Sequence, residues 1–117
     1  FATLAVLGGS ELPADRPVDG MDILPLLKGN GPSPRETYFY ARGTNVEALR
    51  SGAWKLRIAP SGEVQLFQLL EDPAEKYNRA AGHPALVDSL LHHLHMFASE
   101  TGAKTTLVTT PPGSPVR

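Results

Sequence analysis

"AWKLRIAPSGEVQLFQLLEDPAEKYN", residues 53–78, is the stretch on which the fold turns. Its first part alternates. Trp54, Leu56 and Ile58 fall on one face, Lys55 and Arg57 on the other, which is the period-two pattern of a half-buried strand. Pro60-Ser61-Gly62 interrupts the run, and Val64 and Leu66 open a second one. The link between the runs is too short for a parallel crossover, so the two strands are predicted to pair antiparallel. The stretch ends in a knot of charge, with Glu71, Asp72, Glu75 and Lys76 beside Tyr77. The first functional question is whether that knot is chemistry or a connector.

Upstream, "ETYFYAR" (36–42) alternates and is rich in strand-forming residues, and "NVEALRSG" (45–52) is a weaker strand. Ser51-Gly52 favours a tight hairpin into the third strand. Downstream, "HPALVDSLLHHLHMFASE" (83–100) places Leu86, Val87, Leu90, Leu91, Leu94, Phe97 and Ala98 on one helical stripe, with Pro84 suited to the first turn. An isolated helix of this length is marginal in water, so it must dock on the sheet. The fold class is therefore predicted as α+β: a four-stranded antiparallel sheet with a C-terminal amphipathic helix packed on it.

At the other end, "TLAVLGG" (3–9) reads as the last turns of a helix stopped by Gly8-Gly9. "SELPADRPVDG" (10–20) is loop. "MDILPLLKGN" allows a short helical turn, with Asp22 as N-cap, Pro25 in the first turn and Gly29 ending it. Three segments result. Residues 1–35 form a helix end and a Pro/Gly-rich connector. Residues 36–101 form the sheet and helix. Residues 102–117 form a flexible tail.

Bulk properties narrow the function classes. Eleven Lys and Arg against twelve Asp and Glu leave a net charge of -1. No strong field draws nucleic acid or an anionic membrane, and no apolar run approaches the roughly 18–20 residues of a membrane span. The chain has no cysteine, which removes thiolate chemistry, disulfides and Cys-ligated zinc. It opens on Phe1 with no basic n-region, which reads as a piece of something longer rather than a signal peptide.

Three constellations have chemical readings and simpler ones. Asp88, His92 and His95 share a helix face at i, i+4, i+7, with His93 adjacent, which is loose metal-ligand spacing. That face is opposite the leucines and lacks a fourth ligand, so a solvated face is preferred. Glu71, Asp72 and Glu75 are a carboxylate set of the kind used in acid–base chemistry, but a Pro-containing turn would keep them solvated and ionised. Glu75 suits the first turn of a short helix. Trp54 with Lys55 could stack a ligand; an inward anchor with a snorkelling neighbour is preferred. No G-x-S-x-G elbow and no Gly-rich phosphate loop occurs.

Three strings carry a resemblance: "DGMDILPLLKG" (19–29), "ALRSGAWKLRI" (48–58) and "LFQLLEDPAEKYN" (66–78). In this order and spacing they resemble the C-terminal part of arylsulfatase-type sulfatases, in the alkaline phosphatase superfamily. The family pattern there reads like D-G-x-D-L-L-P-L-L-x-G, R-x-G-x-W-K-L and L-Y-D-L-x-x-D-P-x-E-x-x-N. "ATLAVLGG" (2–9) resembles the end of the family's P-T-L-A-x-L-A-G helix. The likeness runs over residues 1–98. Phe67-Gln68 stands where the family usually has Tyr-Asp. Ala74 stands where Gly is common, which predicts a turn without positive φ.

The resemblance implies a small subdomain abutting a large α/β catalytic domain that hydrolyses sulfate esters. It implies a formylglycine made from Cys or Ser in C/S-x-P-x-R, and a calcium ion held by Asp and Asn, all upstream. Ser33-Pro34-Arg35 and Ser114-Pro115 do not fit that motif. No catalytic and no metal residue carries over, and the chain alone is expected to be silent. In some members loops of this subdomain reach the rim of the substrate cleft. The matching loops are 41–45 and 59–63, with Arg42 and Asn45 as rim candidates. The expected partner is the catalytic domain of the parent chain, with homo-oligomers of the isolated chain formed through the sheet edge or the N-terminal segment. The alternative is a stand-alone binding module of the same fold without catalytic activity.

Overall fold

A computed structural model describes residues 1–16 and 18–106. The chain divides into two compact units, Phe1–Glu36 and Thr37 onward. Of the expected tail, 102–117, residues 107–117 lie outside the described residues.

In the first unit, helix α1 spans Ala2–Leu7 and one-turn helix α2 spans Leu24–Leu27. The Asp22 carboxylate accepts the Leu24 N–H at 2.9 Å, the capping role expected of it, although the helix proper begins one residue beyond Ile23. Thr3 Oγ1 accepts the Ile23 N–H at 3.0 Å and ties the two helices together. Ala2 is the buried apolar residue of these helices, whereas Phe1, Leu4, Leu7 and Leu27 are exposed.

The second unit begins with an antiparallel meander: β1 (Thr37–Arg42), β2 (Asn45–Ser51), β3 (Trp54–Ile58) and β4 (Val64–Gln68), paired in that order. Gly52 opens the two-residue β2–β3 turn at φ +57°, a conformation in which a Cβ would be strained. Helix α3 (Pro84–Thr101) lies across one face of the sheet. It buries Val87, Leu90, Leu91, Leu94 and Ala98, the stripe that the sequence spacing gives. Opposite them, Leu49, Leu56, Ile58 and Leu66 are at most 1% exposed. Phe39 of β1 stacks on Phe97 of α3 with centroids 3.9 Å apart. At roughly 1.5–3 kcal/mol per buried large side chain, this face is the main stabilising element of the fold.

Two features depart from simple alternation. Val46 and Leu49 both enter the core although an unbroken strand would point them to opposite faces. A register shift resolves this: Tyr40 pairs with Ala48 and Ala41 with Val46, so Glu47 is an extra residue in β2. The second departure is at the C-terminus. Gly102 ends α3 at φ +68°, and Lys104–Thr105 then forms strand β5, parallel to Asn45–Val46. The sheet thus has five strands rather than four, and residues 104–105 are not tail. The physical reason is a vacancy on β2. The β2–β3 ladder ends at Ala48 and Arg57, while β3 continues with β4 as far as Ile58 and Val64. The unpaired end of β2 is taken by β5, with the Lys104 N–H donating to the Thr44 carbonyl at 2.8 Å.

Candidate functional site

The charged knot folds against β4 and the sheet face opposite α3. Cross-strand registers place Tyr40, Ala48, Arg57 and Gln65 in one row of that face, and Tyr38, Arg50, Lys55 and Phe67 in the next. β4 is an edge strand, and an open edge is a template for pairing with other chains. Here the turn after β4 returns to close it. Asn78 Oδ1 accepts the Leu66 N–H and the Ala80 N–H, each at 3.0 Å, and the Arg79 N–H donates to the Leu66 carbonyl at 2.8 Å. A side-chain amide and one backbone amide replace the missing neighbour strand.

The start of the turn is fixed by Gln68, whose Oε1 accepts the Leu70 N–H at 2.8 Å and the Glu71 N–H at 2.9 Å. Gln68 at this position therefore serves as a cap. Asp72 is only 5% exposed, so it is not the solvated carboxylate that the Pro-containing turn suggests. Its Oδ2 accepts the Tyr77 N–H at 2.8 Å. The Tyr77 and Lys76 backbone amides hold its carboxyl below the usual range; burial opposes them, and the charges of Lys76 and Arg79 add to the lowering. A group fixed as carboxylate is the opposite of a general acid.

Glu75 is the strained point, a non-glycine residue at φ +53°. The turn does require positive φ, contrary to the expectation drawn from Ala74, but one residue later. Glu75 is also not in a helix; the nearest helical turn is the 3₁₀ segment Ala80–Gly82. Lys55 Nζ contacts Glu75 Oε1 at 2.6 Å and lies 4.9 Å from the Tyr40 ring centroid. Arg79 pairs with Glu71 at 2.9 Å. Lys55 is thus engaged on one face, while Trp54 packs against the core and 4.9 Å from the His83 ring on the other, so the two do not form a joint ligand clamp.

The rim candidates lie at the β1–β2 turn. Arg42 is exposed and sits 3.7 Å from Glu47; Asn45 Nδ2 donates to Thr106 Oγ1 at 3.3 Å. The meander places this turn and the 59–63 loop at the same end of the sheet, because each follows a strand running in the same direction. The histidines give no centre: Asp88, His92, His93 and His95 are all exposed, and among the described residues no three His, Asp or Glu side chains are placed to hold a metal. The chain's described residues do not fit a calcium site.

Between the turn and the sheet lies a cleft of about 430 Å³. Phe67, Arg57 and Gln65 line its sheet side, and Glu75, Lys76 and Asn78 its turn side. The alternation on β4 marks Phe67 as outward-facing, yet it is only 5% exposed. No sequence period reveals this cleft, because residues 73–78 come back over Arg57, Gln65 and Phe67 only in the fold.

No family model matches the chain. It is 37% identical over 105 residues to arylsulfatase A of Bos taurus, covering 65% of this chain and 20% of that protein. It is 31% identical over 121 residues to arylsulfatase A of Homo sapiens, covering 79% of this chain and 23% of that protein. A solved chain from glycosaminoglycan metabolism in Bacteroides thetaiotaomicron, labelled 6S-sulf, superposes with a TM-score of 0.67 at 29% identity, covering 83% of this chain and 23% of its own length. The chain spans about a fifth of the length of these curated relatives.

Proposed function

This chain corresponds to a segment of the sulfatases, and from that premise we propose that it is the C-terminal subdomain of a longer enzyme that hydrolyses sulfate esters. The observation that carries the reading is the match to arylsulfatase A, which extends over most of this chain and over only 23% of the human relative. In the parent, calcium and a formylglycine would lie in other parts of the polypeptide. This segment contributes a scaffold: it covers a flank of the catalytic domain and shapes the cleft rim, with Arg42 and Asn45 facing substrate.

The charged turn supports a scaffold role. Its carboxylates are occupied in the ways a connector needs: Asp72 binds backbone amides, Glu75 binds Lys55 and Glu71 binds Arg79. Asp72, held below the usual carboxylate range by backbone amides, is not a group that acid catalysis at neutral pH can use.

The test is twofold. The 117-residue chain, assayed on an aryl sulfate with calcium present, is expected to give no turnover; measurable hydrolysis that co-purifies with it overturns the scaffold reading. In the longer protein, Arg42→Ala and Asn45→Ala are expected to raise KM several-fold at unchanged kcat, and unchanged KM for both removes them from the rim. The exposed apolar residues of the first unit further lead us to propose self-association of the isolated chain. A strictly monomeric light-scattering profile at high concentration counts against that.

A further inference from the structure

We propose that the second unit pairs with a second copy of this chain along the outer edge of β1, in a two-fold dimer whose sheet continues from one copy into the other. The contact is separate from association through the first unit and does not rest on it.

The two edges of the sheet differ. The β4 edge is closed by the Asn78 side chain and the Arg79 amide. Strand β1 pairs with β2 on one side, and among the described residues no strand pairs with it on the other. Monomeric proteins blunt such an edge with charged residues, proline or a bulge. "TYFYA" (37–41) holds no charge and no proline, and the extra residue of the β1–β2 irregularity belongs to β2. β1 is therefore a regular, uncharged edge of strand-forming residues.

The hairpin turns fix which backbone groups face outward. Ser51 and Trp54 close a two-residue turn, so the Ser51 N–H and C=O point at β3. Direction alternates along a strand, so Arg50 points the other way, at Tyr38 of β1. Arg42 and Asn45 close the β1–β2 turn in the same manner. Tyr38 and Arg42 are thus turned toward β2, and Thr37, Phe39 and Ala41 toward the open edge. A second β1 fits this edge antiparallel, with Phe39 opposite Phe39 and Thr37 opposite Ala41, because the same residues carry the outward groups in both copies.

The groove beside the edge has the same symmetry. It has a volume of about 300 Å³, lies between β1 and α3, and is lined by Thr37, Phe39, His93, Met96, Phe97 and Glu100. Phe39 stacks on Phe97 with centroids 3.9 Å apart, so an axis through Phe39 meets α3 near Met96 and Phe97. His93 lies one helical turn before that point and Glu100 one turn after it. A two-fold rotation exchanges the ends and brings each His93 to the other copy's Glu100. There an imidazole N–H donates to a carboxylate, and neither residue makes an ion pair within its own chain among the described residues. At the centre, Met96, 47% exposed, meets the half-buried Phe39 and Phe97 of the second copy. An apolar centre, matched polar ends and an open backbone edge make a self-complementary surface. An unrelated extended peptide would satisfy the backbone groups but would leave His93 and Glu100 unmatched, which is why a second copy is the occupant.

The experiment measures sedimentation of the full 117-residue chain, beside a Leu4→Ser, Leu7→Ser variant that removes exposed apolar residues of α1. A dimer with a Kd of about 1–100 µM is expected in both, as suits a small interface. By NMR hydrogen exchange, the Phe39 and Ala41 amides are expected to slow at least about tenfold between dilute and dimeric samples. Thr37→Pro removes an outward N–H without touching the β2 ladder, and Met96→Glu sets two carboxylates near the axis. Each is expected to weaken the dimer at least about tenfold, with the melting temperature of dilute samples unchanged. His93→Glu is expected to weaken it several-fold, and adding Glu100→Lys to restore Kd to within about threefold of wild type. A chain that stays monomeric up to about 1 mM overturns the proposal, the outcome expected if a strand of another polypeptide is the natural occupant of the edge. It is also overturned if the α1 variant alone abolishes association, if the two amides exchange alike at both concentrations, if Met96→Glu dimerises like wild type, or if the charge swap restores nothing.

Discussion

Replacing Asn78 by alanine tests the claim that a side chain closes the β4 edge. The substitution removes the acceptor for two backbone amides, those of Leu66 and Ala80, both at 3.0 Å. Leu66 is fully buried, so its N–H has no route to water and costs about 1–3 kcal/mol when stranded. The Ala80 amide is part-buried and its bond contributes about 0.5–1.5 kcal/mol. The two contacts from Nδ2, to Glu63 Oε1 and the Val64 carbonyl, are each 3.4 Å and add little. The expected loss is about 2–4 kcal/mol, a large part of the roughly 5–15 kcal/mol total of a domain. For a domain of this size the melting temperature falls by about 4–8 °C per kcal/mol. Urea unfolding followed by Trp54 fluorescence and by circular dichroism gives the loss as a shift in midpoint at constant slope. Asn78→Asp retains the acceptor but brings a carboxylate beside Glu63, so it should be made in a Glu63→Gln background, where less than half the loss is expected. A loss under about 0.5 kcal/mol for Asn78→Ala, or equal losses for the alanine and aspartate variants, refutes the edge-closing account.

Leu90→Asp places a charge at a site 3% exposed between α3 and the sheet and is expected to unfold the second unit; an unchanged melting curve would separate the helix from the core. At Glu75, with φ +53°, Glu75→Gly is expected to be more stable than Glu75→Ala by about 1 kcal/mol, because both lose the Lys55 pair but only glycine relieves the backbone; equal stabilities would show that the turn relaxes. A double-mutant cycle on Lys55 and Glu75, each replaced by alanine, is expected to give a coupling of about 1 kcal/mol, at the upper end of the surface range, since both side chains are less than a third exposed; a coupling near zero would show that the contact is solvent-screened. Asp72 has a depressed folded-state pKa, so the unfolded chain binds its proton first on acidification. Its stabilisation is complete above the ordinary carboxylate value of about 3.9 and is lost as pH falls through the lower folded value. Asp72→Asn should therefore be less stable than wild type at neutral pH and should lose less stability between about pH 4 and pH 2, as read from melting temperatures across that range; parallel acid limbs would rule the linkage out.

Most of the meander was legible in the sequence. Trp54–Ile58 and the α3 leucines follow fixed periods, and each period names the buried face. The Ser51-Gly52 pair located the turn between β2 and β3, since the turn needs positive φ and glycine supplies it. The L-x-x-L-x-x-D-P-x-E-x-x-N string, residues 66–78, carries the sulfatase likeness. Its functional meaning was less legible. Asp72, in a Pro-containing turn, reads as solvated, yet the turn closes over it and its own backbone amides bind it.

By itself, then, the sequence determined the local elements, the inward faces of β3 and α3, and the sulfatase likeness, because these depend on patterns within a few residues. Tertiary structure alone decided three things: the bulge at Glu47 that brings Val46 into the core, the capture of Lys104–Thr105 by the vacant end of β2, and the cleft under the returning turn. Each depends on how one segment pairs with or returns over another, and no local period encodes where a chain returns. The charged turn that first posed the question is a closure for an edge strand.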